Sequence, residues 1–201
     1  MPENTRSAPE PLLAQLAGAS TEAGGHPAGG VAAALVASMA ASLAAAAADA
    51  SREAWDESAG VRAQALALAR RTSILAEQTR VQYAQARQAL EGRAPEAEPS
   101  DEIRDWALGL AIRGAATPLM ELAGTAADIA ELSAAVALHG AGDVRADAVV
   151  AADLAAAAAR SAATLVQVNL VVGGESEAAT QAAGYAEAAA RAAESVAGSA
   201  T

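Results

Sequence analysis

The chain has 201 residues and a formal net charge of −11, with a pI near 4.6. Binding nucleic acid needs a basic face that releases phosphate counterions, so no nucleic-acid partner is expected. There is no Cys, which removes disulfides and thiolate chemistry, and the length suits one domain able to bury a core.

Apolar residues make up 53% of the chain, yet aromatics only 2%, with no Phe. Ala fills roughly a third, in place of the usual mixed apolar set. It is the strongest helix former and a very small apolar side chain, so the core should consist of helices packed at close spacing. All 13 basic residues are Arg, and an anionic ligand would need a local cluster of them. The opening residues MPENTRSAPEP are acidic and Pro-rich, where a secretory leader would be basic and then apolar. The expectation is a cytoplasmic protein without a targeting segment.

In chain order, residues 1–8 are expected to be flexible, 9–18 to form a short first helix and 19–30 a Gly-rich loop. Residues 29–48 carry no charge, over about the length of a membrane span. Ala and Ser are much less apolar than Leu, and the flanks lack an aromatic belt or a basic anchor. The segment therefore reads as a buried central helix, ending near Ala50, and no membrane partner is expected. Residues 52–91 read as one very long amphipathic helix, with Val61, Leu68, Leu75 and Val81 set among Arg62, Arg70, Arg71 and Arg80. Residues 92–100 read as a linker inside the domain.

Ser100 followed by Asp101 and Glu102 is a strong helix start. That helix should kink near Pro118 and continue through Ala137, with a turn at 139–143. Asp147 is placed to cap a second uncharged helix that ends at Gly173-Gly174, and 175–197 should form the last helix. No segment alternates with the period of a strand. The fold class expected is all-α: a single domain over 1–201, with the helices 31–50 and 147–171 at the centre and the charged helices around them. A monomer of this size can barely cover two such helices, so a homodimer is expected.

Three stretches carry a resemblance. The first is His26-Pro27-Ala28-Gly29-Gly30-Val31, opening into small residues. The second is Ala116-Thr117-Pro118-Leu119. The third is Gly140-Ala141-Gly142-Asp143-Val144-Arg145-Ala146-Asp147, with an Ala-rich helix ending Leu165-Val166-Gln167-Val168-Asn169-Leu170. In order and spacing they resemble the C-terminal, cyclodeaminase/methenyltetrahydrofolate cyclohydrolase part of the formiminotransferase-cyclodeaminase family. They are similar to its Pro-Gly-Gly-Gly-Ser loop, its Ala-x-x-Pro-Leu segment and its Gly-Asn…Ser-Asp followed by Asn-Val-x-x-Asn-Leu.

The resemblance implies an antiparallel bundle of long, kinked helices that dimerises. It also implies a small-molecule substrate, a tetrahydrofolate bearing a formimino or methenyl group. Ring closure with loss of ammonia, or opening of the methenyl bridge by water, passes through a tetrahedral carbon between nitrogens. Such a step needs proton transfer and positioning, with no metal and no cofactor. The chain departs from the pattern at Ala28 and Val31 in the loop, at Thr79 where an Asp precedes the aromatic Tyr83 by four residues, and at Ala141, Ala146 and Leu165. Two other functions therefore stand beside folate chemistry. One is the same scaffold cyclising or opening another nitrogen-containing molecule in specialised metabolism. The other is a non-catalytic helical dimer.

The candidate catalytic residues are His26, Tyr83 and Asp147; the candidate substrate-binding residues are Gly29, Gly30, Val31, Thr79, Asn169 and Arg160. His26 precedes a helix start that can hold an anion and titrates near neutrality, or is a solvated loop residue. Gly29 and Gly30 admit a ligand to the backbone or simply make the turn. Asp147 is a cap or an acid/base group. Asn169 bonds a neighbouring helix or faces a cleft. Arg160, in a nearly uncharged helix, is expected to be buried and to need Asp153, another acid or an anionic ligand. Tyr83 supplies a hydroxyl or a stacking face, or is core. Trp55 and Trp106 are expected at helix–helix contacts. Asp147 and Asn169 stand 22 residues apart, about 33 Å along a straight helix, so they share a site only across two subunits.

Overall fold

The computed structural model describes residues 29–90, 101–171 and 176–198. They form five α-helices: α1 (Gly29–Ala50), α2 (Ser58–Leu90), α3 (Asp101–His139), α4 (Arg145–Val171) and α5 (Ser176–Ala197), with a short 3-10 turn at Gly142–Val144 before α4. The expected helix at 9–18, the loop before Gly29 and the linker 92–100 lie outside the described residues. No strand occurs among the described residues.

Small residues dictate the spacing of α1. Ala34, Ala37, Ala40, Ala41, Ala44 and Ala48 are all fully buried, so three sides of the helix pack directly on α2, α4 and α3. Its direction relative to each follows from its two ends. The start, at Gly30, meets Thr79 of α2, Leu119 of α3 and Leu165 of α4. Just past its other end, Ser51 meets Gly140 and Ala141 after the end of α3. Hence α1 runs antiparallel to α2 and α4 and alongside α3. The largest buried side chains, among them Leu75, Leu122, Ile129, Val136 and Val166, fill the wider gaps between the Ala rows, each contributing about 1.5–3 kcal/mol.

The structure differs from the sequence reading in four places. Residues 51–57 form a turn, not the first two turns of α2. Ser51 holds it, donating its hydroxyl to the Ala47 carbonyl (2.8 Å) and accepting the Ala141 amide (2.9 Å), while Asp49 pairs with Arg52 and with Arg62 (3.1 Å) across the reversal. Trp55 stacks on His139 with ring centroids 5.6 Å apart. Second, α3 packs on α4 more extensively than α1 does, because Leu122, Ala126, Ile129 and Ala130 on α3 are as deeply buried as the Ala rows. Third, α4 starts at Arg145, so Asp147 lies exposed in its first turn and is not the cap residue. Fourth, Trp106 is 65% exposed and makes no core contact. Pro118 is buried inside α3, which is assigned as one helix from Asp101 to His139.

The segments Gly29–Ala50 and Gly142–Leu170 are long and apolar enough to cross a membrane. In each, 56% of its apolar 18-residue stretch is buried against other helices, which is the pattern of a core helix.

Candidate functional site

At the start of α1 the four central helices leave a cavity of about 540 Å³, open solvent at its mouth included. Gly29, Gly30 and Val31 form one wall. Thr79, Arg80 and Tyr83 of α2 face it, and Ala115 and Leu119 of α3 and Leu165 and Asn169 of α4 complete it. The periodicity of the helices makes this set: Thr79 and Tyr83 are four apart, as are Ala115 and Leu119, and Leu165 and Asn169, so each pair stands on one face.

Gly30 sets how closely the walls approach. A Cβ built there would lie 2.5 Å from the Thr79 methyl and 2.8 Å from Leu119 Cδ2, so a side chain is excluded and the Thr79 methyl fills the notch. Gly29 is less constrained, its nearest neighbour being Leu165 Cδ1 at 3.8 Å. The functional content of the Gly-Gly pair is thus unequal: Gly30 serves packing, and Gly29 forms part of the cavity wall.

The polar groups at the cavity fall into two kinds. Arg80 donates from Nε and Nη2 to the two carboxylate oxygens of Glu77, at 2.8 and 2.6 Å. That hydrogen bonding holds the Glu77 carboxyl below the usual carboxylate range and Arg80 above its own, so the Arg80 charge is compensated at the rim. The remaining polar groups are neutral: the Tyr83 hydroxyl, on a side chain 44% exposed, the half-buried Asn169 amide and the Thr79 hydroxyl. Thr79 is 6% exposed, and its hydroxyl is buried without a hydrogen-bond partner. No carboxylate or imidazole lines the cavity among the described residues. Likewise no cluster of three or more His, Asp or Glu suited to a metal occurs among them.

The sequence-predicted residues divide accordingly. Gly29, Gly30, Val31, Thr79, Tyr83 and Asn169 come together. His26 lies outside the described residues. Asp147 is at the other end of α4, about 33 Å from Asn169 by helical rise. Arg160 is exposed and away from the cavity, which corrects the expectation of a buried guanidinium: Asp153 and Arg160 mark the outward stripe of α4. Leu165, a departure from the resembled pattern, also lines the cavity, and Arg80, Ala115 and Leu119 join it without having been expected as site residues. Their signal is positional, since Arg80 follows Thr79, and Ala115 is one turn before Leu119, which closes the Ala116–Leu119 segment.

This arrangement can be set against known proteins. The family model for formiminotransferase-cyclodeaminase matches residues 12–194. The chain belongs to that family. Within the solved structures, the cyclodeaminase fold is found in formiminotetrahydrofolate cyclodeaminase from Thermotoga maritima, which matches with a TM-score of 0.64 and 19% identity, over 84% of this chain and 88% of that one. A comparison with curated protein sequences gives no significant match. Three of the positions that depart from the resembled sequence pattern, Val31, Thr79 and Leu165, therefore lie in the cavity wall, whereas Ala141 and Ala146 lie at the far end of α4.

Proposed function

We propose that this cyclodeaminase-family protein is an enzyme that makes or breaks a carbon–nitrogen bond of a small molecule held in the α1–α2–α3–α4 cavity. Family membership supports a formimino- or methenyl-tetrahydrofolate as its substrate class. The observation that carries the reading is the convergence of Gly29, Thr79, Tyr83 and Asn169 from three helices on one cavity. Hydrolysis or deamination at a carbon between two nitrogens requires donors and acceptors that fix the nitrogens, and a group that moves a proton. Asn169 and Thr79 suit the first task and the Tyr83 hydroxyl the second. His26 is the stronger proton carrier. It stands three residues before Gly29, a length of chain that reaches at most about 10 Å.

The test is turnover of 5-formimino- and 5,10-methenyl-tetrahydrofolate by the purified full chain, followed by ammonia release and by absorbance. His26→Ala should lower the rate about 100–10,000-fold if His26 moves the proton, with the melting temperature unchanged. An equal rate in the variant removes His26 from the mechanism. A second reading is favoured by the apolar walls, Val31, Ala115, Leu119 and Leu165. On that reading the same chemistry is applied to another nitrogen-containing small molecule. Turnover of either folate at an ordinary enzymatic rate, on the order of 1–1000 per second, would eliminate it. Negligible turnover, with no folate carried by the purified protein, would eliminate the first.

A further inference from the structure

The hydroxyl of Thr79 behaves unlike those of four other helical threonines. Thr72, Thr117, Thr125 and Thr164 each donate to a backbone carbonyl three or four residues back, at 2.9, 3.3, 2.8 and 2.9 Å. This is the usual way for a helix to satisfy such a group. Thr79 makes no such bond and has no other partner. Its methyl is seated in the Gly30 notch, so packing sets the side-chain torsion and leaves the hydroxyl at the cavity wall without the local acceptor. A buried, unpaired hydroxyl is costly, and it is retained where something else pairs with it.

The rest of the lining restricts what that partner is. Glu77 compensates Arg80 through two hydrogen bonds, Tyr83 and Asn169 are neutral, and the other described walls are aliphatic or Gly. A cation held there would lose hydration without gaining a counter-charge, and an anion would have to draw Arg80 away from Glu77. We propose that the cavity takes an uncharged, mainly apolar ligand that places one hydrogen-bonding atom, of the amide, imine or carbonyl kind, on Thr79 Oγ1. The inference rests on the cavity being the ligand site, and it favours the second reading of the proposed function, another nitrogen-containing small molecule, over a methenyl-tetrahydrofolate. A protonated amidine or methenyl bridge is cationic, and no described wall residue offers it an anion.

The test uses three probes of one shape: benzamide (neutral), benzamidine (cation) and benzoate (anion), titrated into the full chain by NMR and calorimetry. Benzamide should bind with Kd on the order of 1 mM, as befits a nine-atom ligand, and the two ions at least about 10-fold more weakly. Thr79→Val, which keeps the shape and removes the hydroxyl, should weaken benzamide roughly 3- to 10-fold, and Thr79→Ser should retain binding. The free Thr79→Val protein should melt at the same temperature or about 2–4 °C higher, because an unpaired buried group is removed. A Thr whose hydroxyl was structural would lose stability instead, and that loss overturns the proposal. Equal or tighter binding of benzamidine or benzoate overturns it too, as do unchanged benzamide binding in Thr79→Val and absence of benzamide binding up to about 10 mM. Turnover plays no part in this experiment. A protein that passes it but processes no folate or other carbon–nitrogen substrate retains the inference and loses the proposed function; an active enzyme that prefers benzamidine does the reverse.

Discussion

Replacing Gly30 with Ala tests how the cavity is held open. The new methyl would meet Thr79 Cγ2 at 2.5 Å and Leu119 Cδ2 at 2.8 Å, both closer than carbon atoms approach. Leu119 is 4% exposed and has little room to retreat, and Thr79 is β-branched on a helix and stiff about its first torsion. Overpacking of this kind costs about 1–3 kcal/mol. The better helix propensity of Ala returns at most about 1 kcal/mol, and less in the first turn of a helix. The net loss should be about 1–2 kcal/mol, a fall in melting temperature of about 2–8 °C for a chain of this length. Thermal melts by circular dichroism at one fixed protein concentration measure it. Gly29→Ala is the internal control: its methyl would lie 3.8 Å from Leu165, an ordinary contact, so that variant should be neutral or slightly stabilised. If Gly30→Ala melts with Gly29→Ala, the close approach of α1 to α2 and α3 is wrong.

At the opposite end, Gly140→Ala should cost about 2–3 kcal/mol, because its methyl would lie 2.6 Å from both Ser51 Oγ and the Val136 carbonyl oxygen. Ser51→Ala should cost about 1–3 kcal/mol by leaving the Ala141 amide without its acceptor. The two losses should be less than additive in the double variant, since one relieves part of the other's clash; additive losses would separate the two residues. Asp128 has its carboxyl raised above the usual range by desolvation, with Arg71 pulling it down in part. A carboxyl raised in the folded state binds its proton more tightly there than when unfolded, so it costs stability once pH climbs through the carboxylate range. Asp128→Asn should therefore melt higher than the parent at neutral pH, with the gap closing below about pH 4; a lower melting temperature at pH 7 refutes the assignment. Finally, the chain should sediment as a homodimer at micromolar concentration, because Met39, Leu138, Val150 and Val168 each stand about half exposed on the described helices. Met39→Arg, on the outer face of α1, should shift it toward monomer with the helical signal unchanged, and a monomeric parent protein would sink the idea.

The helices were legible because Ala runs and charge boundaries are local signals. α1 ends where Asp49 and Arg52 begin, and α3 begins where Ser100, Asp101 and Glu102 predict it. The turn at 51–57 was not legible, since SREAWDES contains neither Gly nor Pro and is held by tertiary bonds from Ser51 to Ala141 and from Asp49 to Arg62. The composition of α4 misled in the case of Arg160. A mostly uncharged helix suggested burial all round, whereas the seven-residue spacing of Asp153 and Arg160 already marked one outward face. Trp106 shows the same limit from the apolar side, because a large hydrophobic residue on a helix is not by itself evidence of burial. At the cavity, the family spacing led to Thr79, Tyr83 and Asn169. The unpaired state of the Thr79 hydroxyl could not be read from sequence, since it depends on how Gly30 lets the threonine methyl sit.

Where the sequence departs from the family pattern now has a spatial meaning. The residues that set helix approach follow the resembled pattern: Gly30 beneath Thr79 and Leu119, Pro118 buried in α3, and Gly140 against Ser51. Apart from Ala28, which stands for a Gly of the resembled loop, the departing positions are ones whose side chains would supply polarity. Leu165 places an aliphatic end within 3.8 Å of where side chains at Gly29 and Gly30 would begin, where the resembled pattern has an amide, and Thr79 presents a hydroxyl where that pattern has a carboxylate. Ala141 and Ala146 belong to the opposite end of α4. There the Ala141 backbone amide serves the Ser51 junction, and about 33 Å of helix separates Asp147 from Asn169. A single subunit therefore has one cavity with three positions that depart from the resembled pattern, Val31, Thr79 and Leu165, and a separate end whose departing positions cannot touch the same ligand. Backbone geometry responds to Gly, Pro and Ala, and ligand charge to the side chains that line the space. The two are set by different residues.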